Sequence, residues 1–342
     1  MQKPLVSVII STYNEEKYIA ESIRSILLQD YPNIEIIIVD DASTDDTVRI
    51  IREMKSDKVR LYLNKENKKL AHNLNFAISK ANGKYVARMD ADDIAWKNRI
   101  SEQVAYMEKH PDIDVLAAFA KSFGDSTILK SGPCEHEDIF AQLLFTNPLC
   151  HPTVMFRKST IDYLYDESCA AGQDYELWAR IINQKKFHVI DKVLLNYRVI
   201  NRQRKVEYLQ LQKQSALKAR MHLFYLLYNK EEQDEWNQFL RLIDIDTYDF
   251  KPKSNQEMKE LLEYASSMIE RNRDKKIFEK YAFWQAIART LFYQWYASLL
   301  VTDITSEVFL HSQFRGIIKE QSLLMQAKVF CKVLKNVKTN IV

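Results

Sequence analysis

Two kinds of spacing between apolar residues alternate along the first part of the chain. Short apolar runs occupy residues 6–10, 34–39 and 84–89, as expected for strands that are buried on both faces. Between the first two runs, four apolar residues recur at the spacing of one helical face: Ile19, Ile23, Ile26 and Leu27. This β-α-β alternation predicts a parallel sheet that is covered by helices on both sides.

The same pattern continues to about residue 200 and then changes. Further helices are predicted from Asp45 and near residues 71–81, 98–109 and 173–184, and further strands near residues 59–63, 113–119, 153–156 and 193–198. After Arg204, helical spacing dominates and aromatic residues are frequent. We therefore predict an α/β domain at residues 1–205 and a helical C-terminal domain at residues 206–342.

Composition narrows the class of protein. The chain has 342 residues, with 46% hydrophobic and 28% charged residues, and its net charge of +3 is too small to indicate a nucleic-acid partner. Its four cysteines form no C-x-x-C pair, which argues against a zinc or redox site. A strand begins almost at once, so we expect no signal peptide and a cytoplasmic location. The apolar segment 283–301 contains Arg289 and is predicted to be a buried helix rather than a membrane span.

Acidic residues follow two of the predicted strands. Asp90, Asp92 and Asp93 come directly after the run at residues 84–89, and a second acidic pair follows the run at residues 34–39: Asp40 and Asp41. The carboxyl ends of parallel strands line one crevice, and crowded carboxylates favour a hard metal ion. A structural alternative applies downstream, where residues 43–46 have the pattern of a helix capping box, so Asp45 and Asp46 are assigned to capping.

Five motifs in order give the sequence its resemblance to a known family. They are the loop at residues 11–16, the acidic pair at 40–41, the acidic cluster at 90–93, the segment at 151–157 and the segment at 172–178. Together they resemble family 2 glycosyltransferases with the GT-A fold, over about residues 5–200. The resemblance implies a Rossmann-like domain with a mostly parallel central sheet, in an inverting enzyme that uses a nucleotide-sugar, most commonly a UDP-sugar.

The resemblance also implies roles at the donor site. Asp92, in the family's D-x-D motif, would bind Mn²⁺ or Mg²⁺, and Asp90 would contact the ribose or the donor sugar. A uracil base needs an acceptor for its N–H and a flat surface against its ring, and these roles fall to four residues: Thr12, Tyr13, Glu15 and Asp41. Two basic residues remain open to more than one interpretation. Arg88 either pairs with the carboxylates or reaches a phosphate, and Lys69 either contacts the nucleotide or faces water.

At the acceptor side, transfer requires a base that removes the hydroxyl proton. By resemblance, Asp174 is the predicted base and Glu176 the second choice, although an acid at this position also favours a helix N-terminus through the dipole. Possible substrate contacts are His151, Asp93 and Trp178, and for Trp178 a place in the core is the alternative. The acceptor would be a glycan or a lipid-linked saccharide of a surface polysaccharide or related glycoconjugate.

The chain departs from the family after residue 198. Relatives commonly have a histidine that approaches the metal or diphosphate, whereas this chain continues with Val199 and Ile200. The basic residues that follow either engage the diphosphate or form a solvated linker: Arg202, Arg204 and Lys205. Lys69 also stands where many relatives have glycine.

Residues 314–342 have the pattern of a basic amphipathic helix, which predicts peripheral contact with the cytoplasmic face of a membrane. Packing on the chain's own domain is the alternative, and the aromatic-rich helices leave a homo-oligomer open. Two other function classes fit an α/β domain of this kind. A sugar-1-phosphate nucleotidyltransferase would need a glycine-rich loop, and residues 11–16 contain no glycine. The presence of both Asp92 and Asp174 argues against a non-catalytic binding or scaffold protein, whereas the absent histidine keeps that alternative open.

Overall fold

The computed structural model describes residues 3–160, 164–200, 206–243 and 255–298. Its strands are β1 (Val6–Thr12), β2 (Ile34–Asp40), β3 (Val59–Leu63), β4 (Tyr85–Asp90), β5 (Ile94–Ala95), β6 (Val115–Gly124), β7 (Leu129–Lys130), β8 (Met155–Arg157) and β9 (Phe187–Val199). Its helices are α1 (Ile19–Leu27), α2 (Thr47–Glu53), α3 (Lys69–Lys80), α4 (Arg99–Lys109), α5 (His136–Leu143), α6 (Gln173–Ile181), α7 (Val206–Leu227), α8 (Gln233–Ile243), α9 (Asn255–Lys275) and α10 (Lys280–Ser298). The basic residues at 202–205 and the basic segment at 314–342 lie outside the described residues.

The described strands form one sheet in the order β3-β2-β1-β4-β8-β6-β9-β5, and β7 pairs with β6. The first four strands in this order, β3, β2, β1 and β4, are parallel to one another, as the β-α-β spacing predicts. Beyond β4 the sheet is mixed, because β8 is antiparallel to both β4 and β6, whereas β9 is parallel to β6 and antiparallel to β5. The predicted α/β class is confirmed, with a parallel half that carries the acidic strand ends.

The parallel half is held by a continuous apolar core. Every residue of β2 is buried except Glu35, which is partly buried and accepts hydrogen bonds from Ser7 Oγ (2.7 Å) and from Arg60 (2.8 Å). On the helix side, α1 buries Ile19, Ile23 and its other inward-facing residues. Each buried isoleucine contributes about 2 kcal/mol of hydrophobic stabilisation. The scaffold beneath the strand ends is therefore rigid.

The last strand is longer than the sequence pattern predicts. Predicted at residues 193–198, it begins at Phe187, and its pairing with β6 shifts register so that Ile190 and Val193 face successive residues of that strand. The exposed residues Asp191 and Lys192 are expelled in a β-bulge, and this polar interruption hides the first half of the strand from a pattern reading.

The chain divides into two compact units, Met1–His222 and Leu223–Val342. The boundary between them falls within α7. The sequence-based boundary between residues 205 and 206 stays a prediction. In the second unit, Phe224 stacks on Tyr228 with 4.4 Å between ring centroids and meets Trp236 edge to face at 5.0 Å. Among the described helices, α10 included, none has the length and apolar character needed to cross a membrane.

Candidate active site

The loop that follows β4 brings three carboxylates together. Asp90 ends the strand, and Asp92 and Asp93 follow it in the turn before β5. One carboxylate oxygen from each residue lies within 4.8 Å of the other two. Burial is the main cause that raises the pKa of Asp92, and the charge on Asp90 adds to it. The same two causes raise the pKa of Asp93 well above its ordinary value. A cation between these oxygens would relieve the repulsion.

Arg88 neutralises one of the three charges. Its guanidinium binds both carboxylate oxygens of Asp90, with 2.8 Å from Nη1 to Oδ2 and a second short contact from Nη2 to Oδ1. The Arg88 side chain is only 3% exposed, and although burial opposes its charge, Asp90 raises its pKa. The ion-pair interpretation of Arg88 therefore describes this structure, while Asp92 and Asp93 are left without a cationic side chain on their carboxylate oxygens among the described contacts.

The cluster fits the metal that the sequence predicts. Asp93 is fully buried, and its Oδ1 accepts the backbone N–H of Arg198 at 2.8 Å. Its Oδ2 is buried and has no hydrogen-bond partner among the described residues. Leaving such an oxygen without a donor or cation is costly. The three side chains offer only carboxylate oxygens as metal ligands. Such a ligand set suits Mg²⁺ or Mn²⁺.

Three of the five non-glycine residues that have positive φ angles among the described residues lie in, or directly after, the loops that follow β1, β2 and β3. Asn14, Ala42 and Lys69 have positive φ angles of 53°, 65° and 72°. Residues other than glycine adopt this conformation at a cost of about 1–3 kcal/mol, and such strain clusters at ligand sites. At Lys69 the conformation also accounts for the glycine that the family commonly has at this position. These three loops form the predicted base-binding end of the site.

Asp41 organises this end. Its Oδ1 accepts the backbone N–H of Lys68 (2.8 Å) and the amide of Asn64 (2.9 Å), and its Oδ2 accepts the backbone N–H of Lys69 (3.0 Å). Asp41 also donates its own backbone N–H to the carbonyl of Thr12 at 2.8 Å. A carboxylate has about four acceptor directions. Three are occupied here, so one remains for a ligand.

The loop after β1 supplies the other predicted base contacts. The Tyr13 side chain is 47% exposed and therefore accessible to a planar base. The Thr12 hydroxyl is buried without a partner among the described residues. Glu15 donates its backbone N–H to Thr47 Oγ1 at 2.8 Å, which fixes this loop against the start of α2.

The capping box predicted at residues 43–46 does not form, although Asp45 keeps the capping role assigned to it. α2 begins at Thr47, and the side chain of its N-cap residue Asp46 makes no capping hydrogen bond, whereas Asp45 accepts the N–H of Thr47 at 3.0 Å. Ser43 donates to both oxygens of Asp40, through its backbone N–H (2.9 Å) and its hydroxyl (2.5 Å). Asp45 also accepts the N–H of Glu16 at 3.1 Å, which joins the loop after β2 to the loop after β1.

Asp174 lies at the start of α6, two residues after Gly172. The glycine has a φ of +70°, a left-handed conformation that turns the chain into the helix. Asp174 is partly buried, and its Oδ2 accepts the amide of Asn147 at 2.8 Å. Burial raises the pKa of Asp174, and this effect outweighs the charge of Arg88 and the hydrogen bonds that act in the opposite direction. A raised pKa suits a general base.

Glu176, the second choice for the base, is occupied by other partners. Its side chain is 1% exposed and pairs with Arg180 (2.8 Å) and with His222 (3.2 Å). Burial alone would raise its pKa, but the hydrogen bonds from His222 and Arg180 lower it. These contacts give Glu176 a structural ion pair and favour Asp174 as the base.

His151 and Trp178, the possible substrate contacts, lie below the surface. His151 Nε2 is 2.8 Å from the hydroxyl of Tyr165, and burial followed by the charge of Arg88 lowers the pKa of His151 well below its ordinary value. Trp178 is 1% exposed and packs edge to face against His151 and Phe187. The described contacts of Trp178 are those of a core residue, and its contact with substrate stays a prediction.

Removing the amide of Asn147 is expected to shift the pH dependence of transfer. A base works in its ionised form, and the Asn147 hydrogen bond stabilises that form. We expect Asn147→Ala to raise the pKa of Asp174, so that the acidic limb of kcat/KM moves up by about one pH unit, the equivalent of one hydrogen bond to a charged group. Asn33→Ala, which removes an exposed amide contact to Lys3, is the control. A limb that stays in place or moves to lower pH would contradict this assignment.

Sequence reasoning missed three residues that shape the site. Asn64 and Asn147 hold the two candidate carboxylates Asp41 and Asp174, and Arg198 binds the acidic loop. Asn64 could have been found, because it directly follows β3 at the same sheet edge as the acids. Asn147 has no such signal in the sequence. Arg198 was named only as the residue before the absent histidine.

Comparisons with known proteins show which family the chain belongs to. The family model described as glycosyl transferase family 2 matches residues 7–164. EpsE of Bacillus subtilis, a glycosyltransferase by name, is 39% identical over 193 residues, which cover 53% of this chain and 68% of EpsE. The O-antigen biosynthesis glycosyltransferase WbnJ of Escherichia coli is 31% identical over 211 residues, which cover 58% of this chain and 81% of WbnJ.

Among solved structures, S. aureus TarS 1-349, crystallised with UDP and with UDP-GlcNAc, superposes with a TM-score of 0.54 at 20% identity, covering 92% of this chain and 90% of TarS. At this identity the likeness shows the fold alone. Sheet order and superposition together define the GT-A fold. The chain belongs to glycosyl transferase family 2. Of the function classes that the sequence left open, the comparisons support the glycosyltransferase.

Proposed function

We propose that this enzyme is an inverting, metal-dependent glycosyltransferase that moves a hexose or N-acetylhexosamine from a UDP-sugar to a glycan or lipid-linked acceptor. The observation that carries the proposal is the cluster of Asp90, Asp92 and Asp93 after β4, where one carboxylate oxygen from each residue lies within 4.8 Å of the other two. Arg88 binds Asp90 of this cluster directly. Burial raises the pKa of Asp174 and the charge of Arg88 opposes that effect, which supports a donor site and an acceptor-side base in one region.

The chain's own residues would divide the reaction as follows. Tyr13 stacks on the base, and Asp90, whose oxygens each keep one acceptor direction, accepts a hydroxyl of the ribose or sugar. Asp92, with Asp93 beside it, would hold Mn²⁺ or Mg²⁺, which when bound neutralises charge on the diphosphate leaving group. Asp174 takes the proton from the acceptor hydroxyl. The acceptor oxygen then attacks the anomeric carbon while the bond to the diphosphate oxygen breaks, so configuration inverts.

The hydrogen bonds already made by Asp41 favour a uracil base over guanine. One acceptor direction is left on this carboxylate, and it sits on Oδ2. The imide edge of uracil offers one N–H, whereas the edge of guanine offers two neighbouring donors and needs two free acceptors. UDP should therefore be preferred to GDP. The UDP and UDP-GlcNAc complexes of TarS support the same donor class.

A nucleotide screen by thermal shift and calorimetry tests the donor assignment. With Mn²⁺ present, we expect UDP to bind at least about tenfold more tightly than GDP, and Asp41→Asn to weaken UDP binding by about 10- to 100-fold, because a hydrogen bond to a charged acceptor is lost. Asp57→Asn changes an exposed acid in the turn before β3 and serves as the control. Equal binding of UDP and GDP, or an Asp41→Asn variant that binds UDP like the wild type, would refute the base-recognition role.

The acceptor class has support from WbnJ, which is named for O-antigen biosynthesis. We propose a surface polysaccharide or related glycoconjugate as the product. Contact of residues 314–342 with a membrane and assembly into a homo-oligomer remain predictions from the sequence. Incubation of the enzyme with radiolabelled UDP-GlcNAc or UDP-hexoses and membrane extracts would identify the acceptor fraction, and label recovered only as free sugar in every fraction would contradict a transfer function.

A further inference from the structure

Arg198 joins the acidic loop to two other parts of the domain. It lies near the end of β9, where its backbone N–H donates to Asp93 Oδ1 and its Nε donates to the backbone carbonyl of Asp92, both at 2.8 Å. Its Nη2 donates to Glu21 Oε2 of α1 at 2.7 Å. Two donors thus reach neighbouring residues of the acidic loop, and a third reaches the helix that follows the base-binding loop.

Two aromatic rings also restrict the guanidinium of Arg198. It lies 4.3 Å from the ring centroid of Tyr18 and 4.4 Å from that of Phe123, and the side chain is 14% exposed. A planar guanidinium can stack on rings while donating in its own plane, whereas a lysine ammonium is a point charge on a flexible stem. Arg198 therefore has little rotational freedom, and neither has the loop it binds.

These contacts decide which atoms of the acidic loop remain free. Because the backbone of Arg198 occupies Asp93 Oδ1, the buried Asp93 Oδ2 is the oxygen left without a partner among the described residues. The bond to the carbonyl of Asp92 fixes the peptide from which the Asp92 side chain projects. The acidic partner of Arg198 is Glu21, at 2.7 Å, so the guanidinium is held by contacts at both of its ends.

We propose that Arg198 is a positioning residue that holds Asp92 and Asp93 in the arrangement a divalent cation requires. It acts through the acidic loop and contacts no substrate. The inference rests on the proposed metal site. Residues that orient metal ligands typically change metal affinity by about 10- to 100-fold when they are replaced.

The test measures Mn²⁺ binding to the full chain with saturating UDP, by electron paramagnetic resonance, and UDP binding in EDTA, by calorimetry. We expect Arg198→Lys and Arg198→Gln to raise the dissociation constant for Mn²⁺ by about 10- to 100-fold, with UDP affinity in EDTA within about twofold of the wild type. Glu21→Gln keeps the loop contacts and should weaken Mn²⁺ binding by only about threefold. Arg49→Gln, which removes an exposed arginine paired with Asp46 and Glu53, should have no effect.

Wild-type Mn²⁺ affinity in a folded Arg198 variant would overturn the inference, and so would an equal loss of UDP affinity in EDTA, which would indicate general distortion. If neither Arg198 variant folds, Glu21→Gln decides, since an unchanged Mn²⁺ affinity there counts against the linkage. Asp92→Ala separates this inference from the proposed function. If Asp92→Ala bound Mn²⁺ as tightly as the wild type, the proposed metal site itself would be refuted. If Asp92→Ala lost Mn²⁺ binding while the Arg198 variants bound Mn²⁺ like the wild type, only the positioning role of Arg198 would be refuted.

Discussion

Replacing Asp174 with asparagine is expected to lower kcat by about 10²- to 10⁴-fold, the usual contribution of a positioned general base. The asparagine keeps the size of the side chain and can still accept from Asn147, so the change removes basicity while leaving the local contact in place. KM for the donor should change little. Steady-state transfer or donor hydrolysis, measured with Mn²⁺ and a UDP-sugar, gives both constants.

The thermal stability of Asp174→Asn should not fall together with its kcat. The folded-state pKa of Asp174 is raised by burial, so ionisation of this group at neutral pH opposes folding; its stabilising contribution is present at low pH and is lost as the pH rises through the folded pKa. Removing the charge should therefore leave the melting temperature of Asp174→Asn unchanged or slightly higher at pH 7. A large fall in melting temperature together with kcat would indicate a structural role.

Glu176 offers a matched control two residues further along α6. It is a buried carboxylate bound to Arg180 and His222, and loss of one partner from a buried pair costs about 3 kcal/mol. Glu176→Gln should therefore lower the melting temperature by several degrees, with kcat of the folded fraction close to that of the wild type. If Glu176→Gln lost more kcat than Asp174→Asn, the two roles would have to be exchanged.

The sequence located the acids correctly at strand ends because that information is local. A buried apolar run specifies a strand, and residues such as Asp41 and Asp90 that follow it must emerge at the carboxyl edge of a parallel sheet. The order β1, β2, β4 in the chain was enough to bring three motifs together. Their individual roles came from resemblance to the family and stay proposals.

Partners that are distant in the chain could not be predicted in this way. Asn147 is 27 residues from Asp174, and Arg198 is 105 residues from Asp93. Such pairs depend on the mixed second half of the sheet, where a short strand such as β8 and a bulge in β9 determine which residues meet. Neither feature has a strong hydrophobic period. The capping box predicted at residues 43–46 does not form because Ser43 binds Asp40 and the N–H of Asp46 donates to Glu16 in the loop after β1.

The second large effect is expected at Asp92. Asp92→Ala should abolish stimulation by Mn²⁺ and lower kcat by about 10²- to 10³-fold, the cost of losing one preorganised electrostatic stabiliser. The residue is partly buried beside Asp90, and burial and that charge raise its pKa. A bound cation favours the ionised carboxylate and would offset both effects. Kinetics across a Mn²⁺ titration, with Asp57→Ala as the exposed control, measure the effect.

Chelation provides a second perturbation of the same site, and combining the two tests whether they share a cause. EDTA should reduce the wild-type rate to about that of Asp92→Ala, and should change the Asp92→Ala rate by less than about twofold, because perturbations that act through one interaction are not additive. If EDTA slowed both proteins by the same factor, the metal would act elsewhere than at Asp92. If EDTA slowed neither, the acidic cluster would have to act without a metal ion, beside two positive groups that contact it: Arg88 on the carboxylate of Asp90 and Arg198 on the backbone carbonyl of Asp92.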